Sequence, residues 1–301
     1  DLGIAKDDTS IFVVNENSFS ISVINTEDNP DVYEPPAGVQ GEYDEINQIR
    51  AKEQALVLNL PEEGSGLFPG EFCAAKKVLA EETSYITYKV MKLFVNGHEL
   101  KADGYQFSEG EETPLQFFIR FGKIFENSPT TTNYYEYRQP IYPGWAEENE
   151  MELDLDFLTS LKNYESADDY IGDGEYQIYT NTSGVTIRHY KEKLNDAYTG
   201  REIIIYGKPS LANIKHLNIG LRNRANSSGY VNDFETGTVK GQVWLDELRL
   251  SEVRKDKGIA YRAKASLRVA DLASFDVSVN YRDADFHTVE QRPSLQTENL
   301  K

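Results

Sequence analysis

The acidic stretch "ENEMELDLDF", residues 148–157, carries side chains whose types and spacing could do chemistry. Two carboxylates on one strand face could act as acid and nucleophile in glycoside hydrolysis, with Glu152, Asp154 and Asp156 as the candidates. Positions i and i+4 of a strand lie ~13 Å apart, whereas the carboxyl groups of a retaining glycosidase lie ~5–5.5 Å apart. Asp156 is also one methylene too short to close that gap. The pattern therefore argues against catalysis.

The same stretch is also typical of a sandwich strand with an acidic outer face. Apolar and acidic residues alternate, so Met151, Leu153, Leu155 and Phe157 would point inward. Four like charges on the other face need Lys or Arg partners, water or a bound cation. We interpret the stretch as structural and predict no cofactor. A structural calcium ion is the alternative, with Glu152, Asp154, Asp156 and Asp246 as candidate ligands.

Cysteine and histidine offer little for nucleophilic or metal chemistry. Cys73 is the single cysteine, and no histidine lies near it in sequence. We predict that it is a small buried hydrophobe. The four histidines show no spacing typical of a zinc site; they are His98, His189, His216 and His287. The sequence predicts a protein that is not an enzyme.

An aromatic cluster offers a binding alternative. Tyr134, Tyr135 and Tyr137, in "NYYEY", could form with Trp145 a platform that stacks on sugar rings. Core packing and cross-strand aromatic pairing are the other reading, because tyrosine is frequent in strands for that reason alone.

Charge excludes one class of partner. The net charge is −19 and the pI about 4.7, and no basic stripe offsets this charge. Binding to nucleic acid is therefore not expected. No apolar run approaches the ~20 residues of a membrane helix. The first residues, "DLGIAKDDTS", have the character of mid-protein sequence, so we expect a fragment of a longer chain.

Short strand patterns dominate residues 52–254. Apolar alternation recurs in segments such as "YKVMKLFVNG", "PLQFFIRFG" and "GREIIIYG", with Gly, Pro, Asn and Asp clusters between them. Such spacing predicts an antiparallel sandwich or jelly roll. Two segments could be helical, "CAAKKVLAEET" and "LDFLTSLKNY", because they carry good helix formers.

Two regions outside this zone have a different pattern. Ser10 to Asn25 alternates serine with Phe19, Ile21 and Val23, and residues 31–51 are rich in Pro, Gly and acid. Gly258 to Arg282 contains two segments of about ten residues, apolar on one face and charged on the other, which is typical of an outer-membrane barrel hairpin. The alternative is one more sandwich hairpin with a wet face.

The segment "GQVWLDELRLSEVRKDKGIAYRAKASLRVADLASFDVS" resembles the SprA (also called Sov) family. The family pattern is a "WxNELRL" strand, a charged linker, Gly-x-Ala and an Ala-rich strand. Trp244 and Asp246 stand in that strand, with Asp in place of the family's Asn, and Gly258 and Ala260 follow. Upstream segments resemble the family in the same order, among them "KEQALVLNL", "NYYEYRQPI" and "GKPSLANIKHLNIGLRN".

This resemblance implies the giant outer-membrane translocon of the type IX secretion system in Bacteroidetes, a system linked to gliding motility. Its implied partners are secreted cargo proteins, a PorV-type partner barrel, a plug protein and outer-membrane lipid. The implied fold is all-β, a jelly-roll-like antiparallel β-sandwich inserted between transmembrane β-barrel strands. The implied location is the outer membrane, and long barrel insertions favour the cell surface over the periplasm for the sandwich.

The expected domains follow from the resemblance. Residues 1–30 form barrel strands and a turn, 31–51 an irregular linker, 52–254 the sandwich and 255–301 a barrel hairpin with a loop. Arg262, Lys264, Arg268 and Arg282 would then face a water-filled lumen. The alternative function is a secreted or cell-surface carbohydrate-binding β-sandwich module.

Overall fold

The computed structural model describes most of the chain. The described residues are 2–5, 19–41, 43–46, 48–60, 66–102, 104–108, 113–125, 128–224, 237–254, 260–269 and 273–282. Within these ranges, no helix is long and apolar enough to cross a membrane.

Within those ranges the chain is all-β apart from one α-helix and two 3-10 turns, and every strand pairing is antiparallel. The strands are β1 (Leu2–Ala5), β2 (Ser20–Asn25), β3 (Tyr43–Asp44), β4 (Ile49–Arg50), β5 (Gln54–Leu60), β6 (Phe72–Thr83), β7 (Tyr88–Ala102), β8 (Leu115–Lys123), β9 (Asn133–Pro140), β10 (Met151–Asp154), β11 (Glu175–Thr180), β12 (Thr186–Leu194), β13 (Ala197–Tyr206), β14 (Ile214–Asn223), β15 (Val239–Val253), β16 (Ala260–Val269) and β17 (Ala273–Arg282). The helix α1 is Leu155–Asn163, and the 3-10 turns are Glu147–Asn149 and Ala167–Asp169.

Two large sheets form the sandwich that the sequence predicts. Sheet A has eight strands in the order β1-β6-β14-β8-β9-β13-β12-β11, and sheet B has five in the order β10-β7-β15-β5-β2. The jelly-roll-like prediction fits this arrangement. Two-stranded sheets, β16-β17 and β3-β4, complete the described part.

The main core lies between the sheets because alternate residues of each strand point inward. On β8, Phe117, Ile119 and Phe121 are fully buried, and Leu58 and Leu60 of β5 belong to the same cluster. Cys73 also lies in this cluster and is 0% exposed, as predicted for a small hydrophobe.

Helix α1 extends this core. Leu155, Leu158 and Leu161 are buried at a spacing of three, which suits a helix and no longer a strand. The prediction of a helical segment in "LDFLTSLKNY" is confirmed. The prediction for "CAAKKVLAEET" is wrong, because these residues lie in β6 and pair with β14. Sheet pairing outweighs a helix propensity that amounts to only ~0.5 kcal/mol per residue.

The sandwich also includes a strand that the sequence placed in a barrel. β2 pairs with β5 along its length, so Ser20–Asn25 is an edge strand of sheet B. β1 likewise pairs with β6 at an edge of sheet A. The alternation of serine and apolar residues does not distinguish a sandwich edge from a barrel wall, since both have one wet face. The expected boundary at residue 30 therefore does not separate barrel from sandwich, and the rest of the predicted strand from Ser10 lies outside the described residues.

Candidate functional site

The acidic strand is shorter than predicted and its carboxylates have partners within the protein. β10 ends at Asp154, and only Met151 and Leu153 of the expected inward residues belong to the strand. Glu152 faces outward and its carboxylate lies 2.9 Å from Nζ of Lys92 on the neighbouring strand. This exposed ion pair offsets part of the repulsion between the acidic side chains that the sequence pattern predicts on one strand face.

The next two acidic residues, Asp154 and Asp156, lie at the start of helix α1, and both have partners within the protein. Asp154 is the N-cap of α1, and its Oδ1 accepts hydrogen bonds from the backbone N–H groups of Asp156 (2.7 Å) and Phe157 (3.0 Å). Asp156 forms an ion pair with Arg254 just beyond β15. Across the described residues, no group of three or more His, Cys, Asp or Glu is arranged to hold a metal ion.

The predicted aromatic platform is not formed by the tyrosines of β9. This strand lies inside sheet A, between β8 and β13, and Tyr134, Tyr135 and Tyr137 are 4%, 0% and 5% exposed. Tyr135 and Tyr137 point into the main core, and Tyr134 points to the opposite face, where it stacks on Tyr206 at 4.9 Å. Adjacent strand residues cannot share one stacking surface, so core packing is the role of these side chains.

Trp145 belongs to a different cluster, on the outer face of sheet B. Its ring lies 6.5 Å from Trp244, and its Nε1 donates a hydrogen bond to the carbonyl of Glu34 (2.8 Å). The ring of Trp244 stacks on that of His98, with ring centroids 4.1 Å apart. The rings of Tyr33 and Trp244 meet edge to face, with centroids 5.7 Å apart. Trp244, in the part of β15 that resembles the family pattern, therefore anchors the connecting segment that contains Tyr33 and Glu34.

Asp246 completes this anchor. Its Oδ2 accepts a hydrogen bond from the hydroxyl of Tyr33 (2.7 Å), and its Oδ1 accepts one from the backbone N–H of Glu247 (2.8 Å). Burial raises the pKa of the Asp246 carboxyl, although the hydrogen bonds from Tyr33 and from the Glu247 backbone act in the opposite direction. Glu247 has φ +54°, at a shift in the register between β15 and β7. An asparagine here could satisfy both partners, with the Tyr33 hydroxyl as acceptor, so the Asp–Asn exchange is physically mild.

A set of charged residues that the sequence did not reveal crosses the face of sheet A opposite the core. We name it the charge ladder, and its members are Arg120, Glu136, Arg138, Glu202 and His189. Glu136 is 1% exposed and accepts hydrogen bonds from Nε of both Arg120 and Arg138. The Glu202 carboxylate lies 2.7 Å from Nε2 of His189 and 3.8 Å from Nη1 of Arg138.

The ladder joins four adjacent strands. Arg120 of β8 stands opposite Glu136 of β9, and Arg138 of β9 stands opposite Glu202 of β13, with His189 on β12 beyond. The signal in the sequence is the alternation of Arg and Glu with apolar residues in "FIRFG", "YYEYR" and "REIII". Each charge has a partner on the next strand, as buried charges require.

Acid is expected to weaken this arrangement. Burial alone would raise the pKa of Glu202, but the hydrogen bond with His189 and the charge of Arg138 lower it from 4.5 to about 2. A lowered carboxyl pKa stabilises the fold above pH 4.5, and the stabilisation is lost as the pH falls towards 2. The shift corresponds to roughly 3 kcal/mol. Urea denaturation at several pH values should show this loss, and Glu202→Gln should flatten the profile; equal slopes would contradict the prediction.

The hairpin β16–β17 has two chemically distinct faces. Residues directly opposite one another are both apolar at one set of positions, as in Tyr261 with Tyr281 and Ala263 with Val279. The positions between them pair polar residues, as in Arg262 with Asn280 and Lys264 with Ser278. The remaining predicted lumen residues, Arg268 and Arg282, stand opposite Ser274 and Ala260.

The apolar face is exposed where the side chains are described. Tyr261, Val277 and Val279 are 55%, 59% and 46% exposed, and the rings of Tyr261 and Tyr281 stack at 5.0 Å. Arg262 and Lys264 on the other face are also exposed. Two exposed faces of opposite polarity suit a strand pair that separates lipid from water.

An antiparallel sandwich, with Trp244 and Asp246 of β15 packed against a connecting segment, and a hairpin with one apolar and one polar face define an all-β protein. The family SprA_N, described as motility related/secretion protein, matches residues 5–300, so the chain belongs to this family. The family is one of secretion and motility and is not a known enzyme family. No curated protein matches the chain.

Proposed function

We propose that this chain is a segment of the outer-membrane protein-conducting channel of type IX secretion. Membership of a secretion and motility family supports a role in transport. The length of the hairpin strands supports a place in the membrane. β16 and β17 each have ten residues, and a transmembrane β-strand needs about 9–11.

In this proposal the hairpin contributes two strands to the barrel wall. The face with Tyr261, Val277 and Val279 meets outer-membrane lipid, which favours exposed apolar side chains. Arg262 and Lys264 face the lumen, where water solvates their charges; the side chains of Arg268 and Arg282, for which the resemblance implies the same role, lie outside the described part of the structure. A two-stranded sheet has open edges, so neighbouring wall strands pair with it.

The sandwich is the extra-membrane domain in this proposal. It precedes the hairpin directly, because β15 ends at Val253 and β16 begins at Ala260. Long insertions of outer-membrane barrels lie outside the cell, so we place the sandwich at the cell surface. There it shapes or gates the pore, or contacts secreted cargo or a PorV-type partner barrel.

Cysteine labelling of the full-length protein in native outer membranes tests the wall. Single substitutions Val277→Cys, Ser278→Cys, Val279→Cys and Asn280→Cys sample both faces of β17. We expect the cysteines at 278 and 280 to react with a water-soluble maleimide, and those at 277 and 279 only with a lipid-soluble one. Cys73 provides a silent background, because it is 0% exposed and burial raises the pKa of its thiol.

The opposite outcome is equally clear. If all four cysteines react alike with the water-soluble reagent, the hairpin stands in water and the wall proposal fails. Labelling of Leu248→Cys, which lies in the sandwich and is 41% exposed, should be water-accessible in either case and controls for reagent access.

A further inference from the structure

A groove opens at one end of the sandwich, beside the hairpin of β12 and β13. Its volume of about 730 Å³ lies in the range of small-molecule sites, about 300–1,000 Å³. Contributions come from the end of β9, the turn at Glu147–Asn149, helix α1, and β12 and β13. The residues that line the groove include Phe157, Tyr170, Tyr190, Glu192 and Arg201.

One wall of the groove is aromatic. The ring of Phe157 meets Tyr190 at 5.1 Å with an interplanar angle of 79°, and Tyr170 meets Tyr190 at 5.7 Å and 67°. Tyr190 is buried, but Phe157 and Tyr170 are only half-buried although they stand at the margin of the core. The sandwich thus leaves ring surface open to the groove instead of covering it.

Planar hydrogen-bonding groups stand beside these rings. Oε2 of Glu192 accepts a hydrogen bond from the hydroxyl of Thr199 (2.7 Å), and Nη2 of Arg201 donates one to the carbonyl of Glu148 (3.3 Å). A carboxylate has about four acceptor sites and a guanidinium five N–H donors. These contacts therefore hold the two side chains in place and leave capacity for a ligand's hydroxyl groups.

The strand pairing and the charged residues around the groove limit the class of ligand that the groove can bind. β12 pairs with β11 as far as Lys191, and β13 pairs with β9 from Glu202 onward, so only the short ends of these two strands at the groove could take an added peptide strand. Glu148, Asp173 and Glu192 stand against Lys193 and Arg201 along the lining. This balance gives no net positive field for a polyanion.

From these features we propose that the groove binds a neutral oligosaccharide. A sugar ring stacks on the ring surface of Tyr170 and Phe157 that lines the groove, and its vicinal hydroxyls bond to Glu192 and Arg201, which suit paired donors and acceptors. The proposal goes beyond transport and does not depend on it. A sandwich outside the membrane could hold surface glycan in this groove whether or not the hairpin forms a channel wall.

Calorimetric titration of the full chain tests the groove, in a detergent without a sugar headgroup. The probes are short neutral gluco-, manno- and xylo-oligosaccharides. We expect one series to bind, and Tyr170→Ala and Arg201→Ala each to weaken the affinity about tenfold or more, the scale of a lost stacking or charge-assisted contact. Tyr43→Ala removes an exposed tyrosine outside the groove and should leave binding unchanged.

Folding is separated from binding by a milder variant. Asp173 is exposed, so Asp173→Asn should keep the melting temperature of the wild type and still alter affinity for the bound saccharide. Absence of binding by every saccharide at millimolar concentration would overturn the proposal, as would binding that all three groove variants leave intact. Binding of an extended peptide that the same variants abolish would overturn it in favour of a protein ligand.

Discussion

Replacement of Glu136 by leucine is expected to lower the free energy of unfolding by about 3–5 kcal/mol, the cost of removing one partner from a buried ion pair. Glu136 receives hydrogen bonds from Arg120 and Arg138, which are 6% and 4% exposed. The guanidinium of Arg120 also lies 4.4 Å above the ring of Tyr134, so it cannot leave without disturbing the sheet. The substitution removes the nearest carboxylate from both arginines, and Arg138 keeps only the more distant Glu202 at 3.8 Å among its carboxylates in the charge ladder.

Urea denaturation followed by tryptophan fluorescence measures this loss, because Trp145 and Trp244 pack against the sandwich. Glu152→Leu is the matched control. Its ion pair with Lys92 has the same chemistry but a 61% exposed carboxylate, and such pairs contribute less than ~1 kcal/mol. Equal losses in the free energy of unfolding of the two variants would contradict the view that the charge ladder stabilises the fold because it is buried.

The alternation of apolar and polar residues was enough to predict the all-β fold and the hairpin, because a period of two can be read from neighbouring residues in the sequence. Good helix formers indicated that α1 could be helical, and a single cysteine with no histidine near it in sequence indicated that Cys73 would be a small buried hydrophobe. The alternation could not say which strands are neighbours, since pairing depends on contacts far apart in sequence. The resemblance implies a barrel strand at β2, and in the structure β2 pairs with β5.

The candidate sites show the same limit. Alternating acids near Glu152 look like one solvated face, but the chain turns into a helix at Leu155 and separates them. Alternating charges on β8, β9 and β13 look equally solvated, yet the strand order brings them together on a buried face. Charge alternation indicates a strand, and only the three-dimensional pairing tells a wet face from a charge ladder.

The second large effect concerns the hairpin in the assembled protein. Val279→Arg places a charge on the apolar face of β17, whose side chain at this position is 46% exposed. If this face meets lipid, the change costs about 2–4 kcal/mol near the membrane midplane. We expect less full-length protein in the outer-membrane fraction and a matching loss of cargo secretion. Immunoblots of membrane fractions and of culture medium measure both.

Ser278→Arg is the matched control, because residue 278 neighbours Val279 and points to the polar face opposite Lys264. A water-filled lumen solvates an added arginine, so assembly and secretion should stay near the wild-type level. A hairpin that stands free in water would tolerate both substitutions alike, so equal assembly and secretion of the two variants would contradict the wall. Loss of Val279→Arg alone from the outer-membrane fraction agrees with a strand that has lipid on one side and water on the other.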